Sequence, residues 1–427
     1  MRFTLIAVGT LGDVRPFVAL GSELVEAGHS VRLATHAAYA DLARCHGLEH
    51  HLLPADPDEL LASDSGQALV GSGRFSPGAL RKLARLGDGY IDGVVAESTA
   101  ASRDADLILG SPIALVVGAV HAGEKLGIPV AGAMLQPIHQ TAEFASFLFP
   151  PWPLERVPGR ASYNRLSYVA LQHLVWQLVR RHVDRSRSRL LGLGPASRLG
   201  PSREIDRGDR LWLYGFSPTL LPKPRDWPPS AHVTGYWHLE RGSDWQPPRL
   251  LEDFLGAGSP PVYVGFGSSG RYRQAETTAL VLEGVRLSGQ RGVVAVPGQE
   301  PSIRVISDDI IGIDGVPHDW LFPRTSLVVN PAGRGTVEYA LRAGRPSVSV
   351  PHFLDQHLWA RSLARLGASP RPISRRRLNA SRLAEHIRAA LADRGMAARA
   401  ERLRGLVAAE HGSRRAVSAI EAHLGAA

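Results

Sequence analysis

Residues 328–360 read VVNPAGRGTVEYALRAGRPSVSVPHFLDQHLWA, and this stretch decides the fold. A short apolar strand at 327–329 runs into a loop that carries Gly333 and Gly335. A helix is predicted to open near Thr336, a second strand covers 347–350, and the pair Asp355-Gln356 follows. Glycines between a strand and a helix let the backbone come close to a ligand. The helix N-terminus then presents N–H groups and the positive end of its dipole to an anion, most often a phosphate.

Outward from this stretch, strands and amphipathic helices alternate on both sides. Residues 3–8 read as a buried strand. A helix at 15–27 follows, with Phe17, Val18, Leu20, Leu24 and Val25 on one face and Gly28 as its stop. Further strands are predicted at 31–35, 107–109 and 129–134, then at 262–266, 293–296 and 310–313. Short βαβ units of this kind build parallel, doubly wound sheets. A chain of 427 residues is too long for one ordinary core, so two domains of roughly 200 residues are expected. The proline-rich run 217–230 (SPTLLPKPRDWPPS) marks the break between them. The expected division is an N-terminal Rossmann-like domain at 1–216, a linker at 217–233, a C-terminal Rossmann-like domain at 234–405 and a closing helix at 406–427. Residues 136–165 lack periodicity and read as an aromatic, proline-rich loop region. Residues 168–191 read as a long helix, apolar on one side.

Composition excludes several classes. Hydrophobic content of 44% is that of a globular protein, and no low-complexity tract argues for disorder. The net charge is +9, yet only Lys82, Lys125 and Lys223 among the 49 basic residues are lysines. Such an arginine bias fits a GC-rich genome, and the scattered positives give nucleic-acid binding little support. Cys45 stands alone, so no internal disulfide forms and a reducing compartment is expected. The N-terminus lacks the pattern of a signal peptide. The longest apolar stretch, 107–120, is interrupted by Gly110, Ser111 and Pro112 and is too short to span a membrane. A cytoplasmic protein is the expectation.

The stretch 328–360 resembles the nucleotide-sugar signature of family 1 glycosyltransferases of GT-B fold, which act on sterols, glycopeptides and polyketides. That loop reads His-His-Gly-Gly-Ala-Gly-Thr in the family, and here it reads Asn330-Pro331-Ala332-Gly333-Arg334-Gly335-Thr336. The resemblance is strong at 315–367 and 6–20 and weak at 40–130. It implies an α/β fold of two Rossmann-like domains with an interdomain cleft, the last helix crossing back onto the first domain. In the loop Gly9-Thr10-Leu11-Gly12-Asp13-Val14-Arg15-Pro16, Asp13 stands where the family's aspartate takes the acceptor's proton, while the family arginine is Leu11. An aspartate at a helix start also serves as a cap.

For the donor, the resemblance assigns the diphosphate to Ser268 of Gly265-Phe266-Gly267-Ser268-Ser269 and to Gly333, Gly335 and Thr336. Arg271 and Arg273 are available to add charge. The backbone of Val316 would meet the nucleobase, with His318 structural or functional and Trp320 and Leu321 in the core. Asp355 and Gln356 would hold the sugar hydroxyls, and Asp355 fits a helix cap as well. The ribose-binding glutamate of some relatives is Tyr339, with Glu338 one place early. Pro331 offers no donor where the family has its phosphate-binding histidine. Arg334 is the nearest replacement, or else an arginine turned to solvent.

The implied activity is metal-independent, inverting transfer of a sugar from a UDP- or dTDP-sugar to a hydroxyl of a lipophilic small molecule, held near the aromatics at 136–153. It needs no cofactor beyond the nucleotide sugar as co-substrate. The absent histidines leave open a homologue that only binds as a partner subunit, or one running another nucleotide-sugar reaction. A Rossmann oxidoreductase is disfavoured, since the first loop is not GxGxxG and Thr35-His36 replaces the acidic residue after the second strand. Asp56-Pro57-Asp58 and Asp104-Ala105-Asp106 look like metal-binding triplets but precede no phosphate-type loop, so no metal is expected.

Overall fold

The computed structural model describes residues 1–54, 87–151, 158–200, 210–240, 245–267, 274–296 and 302–425. It divides into a first unit, Met1–Leu239 with Glu410–Ala427, and a second, Glu240–Ala409. Both are α/β.

In the first unit the strands are β1 (Arg2–Ile6), β2 (Ser30–Thr35), β3 (Glu49–Leu52), β4 (Leu107–Gly110), β5 (Val130–Met134), β6 (Trp212–Tyr214) and β7 (Ala231–Val233). They form one parallel sheet ordered β3-β2-β1-β4-β5-β6-β7. Helices cover both faces, so central strands such as β4 (LILG) are apolar throughout rather than alternating. Strand order reverses between β1 and β4, where open α/β sheets place their sites. The two connections there are joined: Ser111 N–H donates to Ile6 O (2.9 Å), and Ser111 Oγ accepts from Val8 N–H (3.2 Å).

Helix Leu11–Glu26 lays Phe17, Leu20 and Leu24 on the sheet, and helix Gly412–Gly425 adds Ala416, Val417 and Ile420 to the same core. The segment 217–233, expected as a linker, belongs to this unit. Leu220, Leu221 and Trp227 are buried, β7 extends the sheet, and Ser217 Oγ–H donates to the buried Glu410 carboxylate (2.5 Å). Its prolines stiffen a packed connection.

The long helix is Arg160–Ser186, eight residues earlier at its start than expected, and it leads into a wide π turn at Arg187–Leu191. That turn carries the buried Arg187 guanidinium inward. It donates to both Glu124 oxygens (2.8 and 2.9 Å), to Gly194 O (3.0 Å) and to His121 Nδ1 (2.7 Å). Accepting there leaves the proton on Nε2, which faces Val116 O at 3.1 Å. Burial, then the adjacent Arg187 charge, pushes the His121 pKa down to about 4. The unfolded chain, with its histidine near 6.5, therefore takes up the proton first. Stability is complete above that value and is lost as pH falls toward 4, by at most about 3 kcal/mol. Urea unfolding across that interval is expected to show the loss, and His121→Gln to flatten it.

In the second unit the strands are β8 (Val262–Val264), β9 (Gly292–Ala295), β10 (Ile303–Ser307), β11 (Ile310–Ile313), β12 (Leu327–Asn330) and β13 (Ser347–Ser349). Their order is β10-β11-β9-β8-β12-β13, all parallel except the β10–β11 hairpin. The mostly exposed edge strand β10 was not expected from the sequence, because its residues show no buried-strand pattern. The reversal of order lies between β8 and β12, so the quoted glycine loop leaves the sheet at its switch point. Among the described residues no helix is long and apolar enough to cross a membrane.

Candidate functional site

The loop after β12 is built by Asn330. Fully buried, its Oδ1 accepts from Ala332 N–H (2.7 Å) and its Nδ2 donates to Val328 O (3.3 Å). This Asx-type turn holds Ala332 at φ 62°, a left-handed conformation. Gly333 then caps helix Arg334–Arg342 with extended backbone, and its carbonyl accepts from Val337 N–H (3.0 Å). Among the described residues, a Cβ built on Gly333 or Gly335 would meet no atom within 4 Å. Bare backbone thus faces open space at a helix N-terminus, the arrangement that receives an anion.

Next to it at the same edge is the loop after β13. Leu354 is left-handed (φ 52°), and Asp355 stands before helix Gln356–Arg365. Asp355 Oδ2 accepts from the Trp359 indole N–H (2.8 Å). Gln356 Oε1 accepts from the His352 and Phe353 N–H groups (2.8 and 3.2 Å), which folds the loop back on the helix. His352 packs edge-on against Phe266 of the β8 loop at 5.2 Å, and burial lowers its pKa to about 3. The loops after β8 and β13 are therefore in contact. Ser268, Arg271 and Arg273 lie outside the described residues, as do Asp56 and Asp58.

In the first unit Asp13 is the third residue of its helix, not the cap, which is Thr10. Asp13 Oδ2 accepts from Thr10 N–H (3.0 Å) and Thr10 Oγ–H (3.2 Å). Gly9 makes this possible: at φ 148°, a Cβ there would stand 2.4 Å from Asp13 Oδ2. The buried His36, just after β2, accepts from Gly9 N–H through Nε2 at 3.4 Å. The half-buried carboxylate thus lies on glycine backbone at the β1 edge of the switch point.

Residues 3–138 match the model of the glycosyltransferase family 28 N-terminal domain, and residues 284–422 that of the erythromycin biosynthesis protein CIII-like C-terminal domain. The O-mycaminosyltylonolide 6-deoxyallosyltransferase of Streptomyces fradiae is 34% identical over 99% of this chain and 97% of its own length. The chain belongs to the family 1 glycosyltransferases of GT-B fold. The sterol 3-beta-glucosyltransferase UGT80B1 of Arabidopsis thaliana is 35% identical over 91% of the chain, which spans only 62% of that longer protein. Among solved structures, glycosyltransferase VinC in complex with dTDP aligns with all of this chain and all of its own at a TM-score of 0.67 and 17% identity, a likeness of fold.

Within this family member the altered signature has its own packing. Arg334 is not turned to solvent: it is 7% exposed, and its Nη1 lies 3.3 Å from Glu338 Oε2, also buried. Tyr339, which stands where the resemblance puts the ribose-binding glutamate of some relatives, packs edge-on against His318. His318 stacks on Phe322 (4.4 Å, 17°) and meets Tyr263 OH through Nε2 (3.2 Å), a structural setting. Val316 is half-buried before the short helix His318–Leu321, and Trp320 and Leu321 are core. Asp104 pairs with Arg2 and Arg32, and Asp106 accepts from Arg2 N–H, so this triplet ties the amino ends of β1 and β4. Sequence reasoning missed the Asn330 turn, His352 and His36. Asn330 alone left a signal, as an Asx residue before Pro-Ala at a strand end.

Proposed function

We propose that this glycosyltransferase moves a sugar, with inversion and without a metal, from a UDP- or dTDP-sugar to a hydroxyl of a lipophilic small molecule in the cytoplasm. The observation that carries this is the bare glycine backbone at the N-terminus of helix Arg334–Arg342, set at the switch point of the second sheet. The macrolide and sterol acceptors named for the relatives, and dTDP in the VinC complex, support the two substrate classes.

The acceptor hydroxyl gives its proton to the Asp13 carboxylate as its oxygen bonds to the anomeric carbon, and the bond from that carbon to the diphosphate oxygen breaks. The helix N-terminus, with Ser268 and Thr336, takes the charge that develops on the diphosphate. Val316 backbone meets the nucleobase, while Asp355 and Gln356 orient the sugar. The acceptor lies against the first unit near 136–153. No cofactor beyond the nucleotide sugar takes part.

Thermal shift with UDP, dTDP and GDP against NAD and NADP tests the donor class, and stabilisation by the dinucleotides alone would overturn it. Gly335→Ala sharpens the test. The methyl enters open space and favours the helix, so the ligand-free protein is expected to gain about 0.5–1 kcal/mol. Yet nucleoside diphosphate affinity is expected to fall at least about tenfold, because the methyl occupies the phosphate's place. Unchanged affinity would move the diphosphate elsewhere.

A further inference from the structure

Helix Arg160–Ser186 is turned inside out along its first half. Asn164, Ser167 and Tyr168 face the interior, where Asn164 Nδ2 donates to Ala142 O (2.7 Å) and Ser167 Oγ accepts from Ser146 N–H (2.8 Å). Leu166, Val169, Ala170 and Leu174, with the polar His173 between the last two, fall at the i, i+3, i+4, i+8 spacing that ordinarily marks a core-facing stripe. All five are exposed, with Leu166 at 63%, Val169 at 43% and Leu174 at 45%. One exposed leucine needs no explanation, but a stripe over two turns does.

Along the same face the helix then becomes basic. Arg181 and Arg185 are exposed, Arg180 is half-buried, and Asp184 is the only acid between 160 and 189. An apolar stripe continued by arginines is the build of a helix that lies in a membrane interface. The chain's net charge of +9 and pI of about 10.1 separate this partner from a second copy. Self-association would bring two strongly positive chains together, whereas an anionic bilayer attracts one.

We propose that this face docks on an anionic lipid bilayer. Leu166, Val169 and Leu174 enter the boundary between headgroups and acyl chains, and Arg181 and Arg185 lie against lipid phosphates. This interfacial placement needs no membrane-crossing helix, and it stands independently of the reading of the transfer reaction.

The test is co-sedimentation of the full chain with phosphatidylcholine vesicles containing roughly 30% phosphatidylglycerol, and with pure phosphatidylcholine, at about 0.1 M and about 0.5 M salt. Binding is expected to the anionic vesicles and to weaken with salt. Leu166→Glu with Val169→Glu, both on the exposed face, is expected to lower partitioning by about tenfold or more. Arg181→Glu is expected to lower it by about fivefold or more. Circular dichroism checks that the variants fold. No binding to anionic vesicles at low salt overturns the proposal. So does binding that both variants leave intact, which would place the contact elsewhere on the basic surface. A wild-type dimer in light scattering that the leucine–valine variant splits would make the stripe a contact between copies and overturn it. A raised acceptor KM in that variant with unchanged vesicle binding would make the stripe an acceptor wall and overturn the proposal as well.

Discussion

Asp13→Asn is expected to lower turnover by roughly 10²–10⁴ while nucleoside diphosphate affinity and the fold are kept. Asparagine has the shape of aspartate, and its amide oxygen can still accept from Thr10 N–H, as Asp13 Oδ2 does at 3.0 Å. The loss to the helix start is therefore at most about 1 kcal/mol. What the amide cannot do is take a proton, and inverting transfer needs a base for the acceptor hydroxyl. Asp13 lies in the first unit and the proposed diphosphate loop in the second, so donor affinity has no reason to change. Steady-state kinetics with a saturating donor, beside calorimetric titration of the nucleoside diphosphate, separate the two quantities. Turnover near wild type would reduce Asp13 to its hydrogen bonds with Thr10.

The second large effect is on stability. Arg334→Met is expected to destabilise the protein by about 3 kcal/mol, since it removes the cation beside a buried carboxylate. A cation at the first residue of a helix also sits at the unfavourable end of the dipole, and Glu338 one turn on offsets this. Replacing both, Arg334→Met with Glu338→Leu, removes the charge and its partner together and is expected to restore most of that stability. The double variant then isolates Arg334's part in donor binding. If the guanidinium also holds the diphosphate, the refolded double variant loses about 1.5 kcal/mol or more of nucleoside diphosphate affinity. Wild-type affinity in that variant would confine Arg334 to holding the helix start. Urea unfolding and calorimetric titration of the three proteins decide it.

Much of the fold was legible in the chain. The strand at 310–313 was placed to the residue, and most of the others to within two, because a strand buried on both faces must be an unbroken apolar run. The glycine loop between 327–329 and its helix was legible for the same kind of reason: Gly333 and Gly335 serve a local backbone need that few other residues meet. Family membership rested on these same local patterns.

Partner choice was not legible, because it is settled between residues far apart in sequence. Nothing in SPTLLPKPRDWPPS announces that Ser217 will donate to Glu410, 193 residues on, and bind an apparent linker into the first unit. The periodicity of 168–191 promised an apolar side, but only the packed structure showed Ser167 and Tyr168 turned inward and Leu166 and Leu174 outward. Arg334, Asp355 and Gln356 were picked out by position in a motif, which fixes where a backbone atom lies and leaves the side chain's partner open. The sequence by itself determined two Rossmann-like sheets and the glycine loop, because propensity and periodicity act over a few residues. The tertiary structure decided which polar groups are buried together and which apolar face remains outside, because burial is a competition among all the surfaces of the chain.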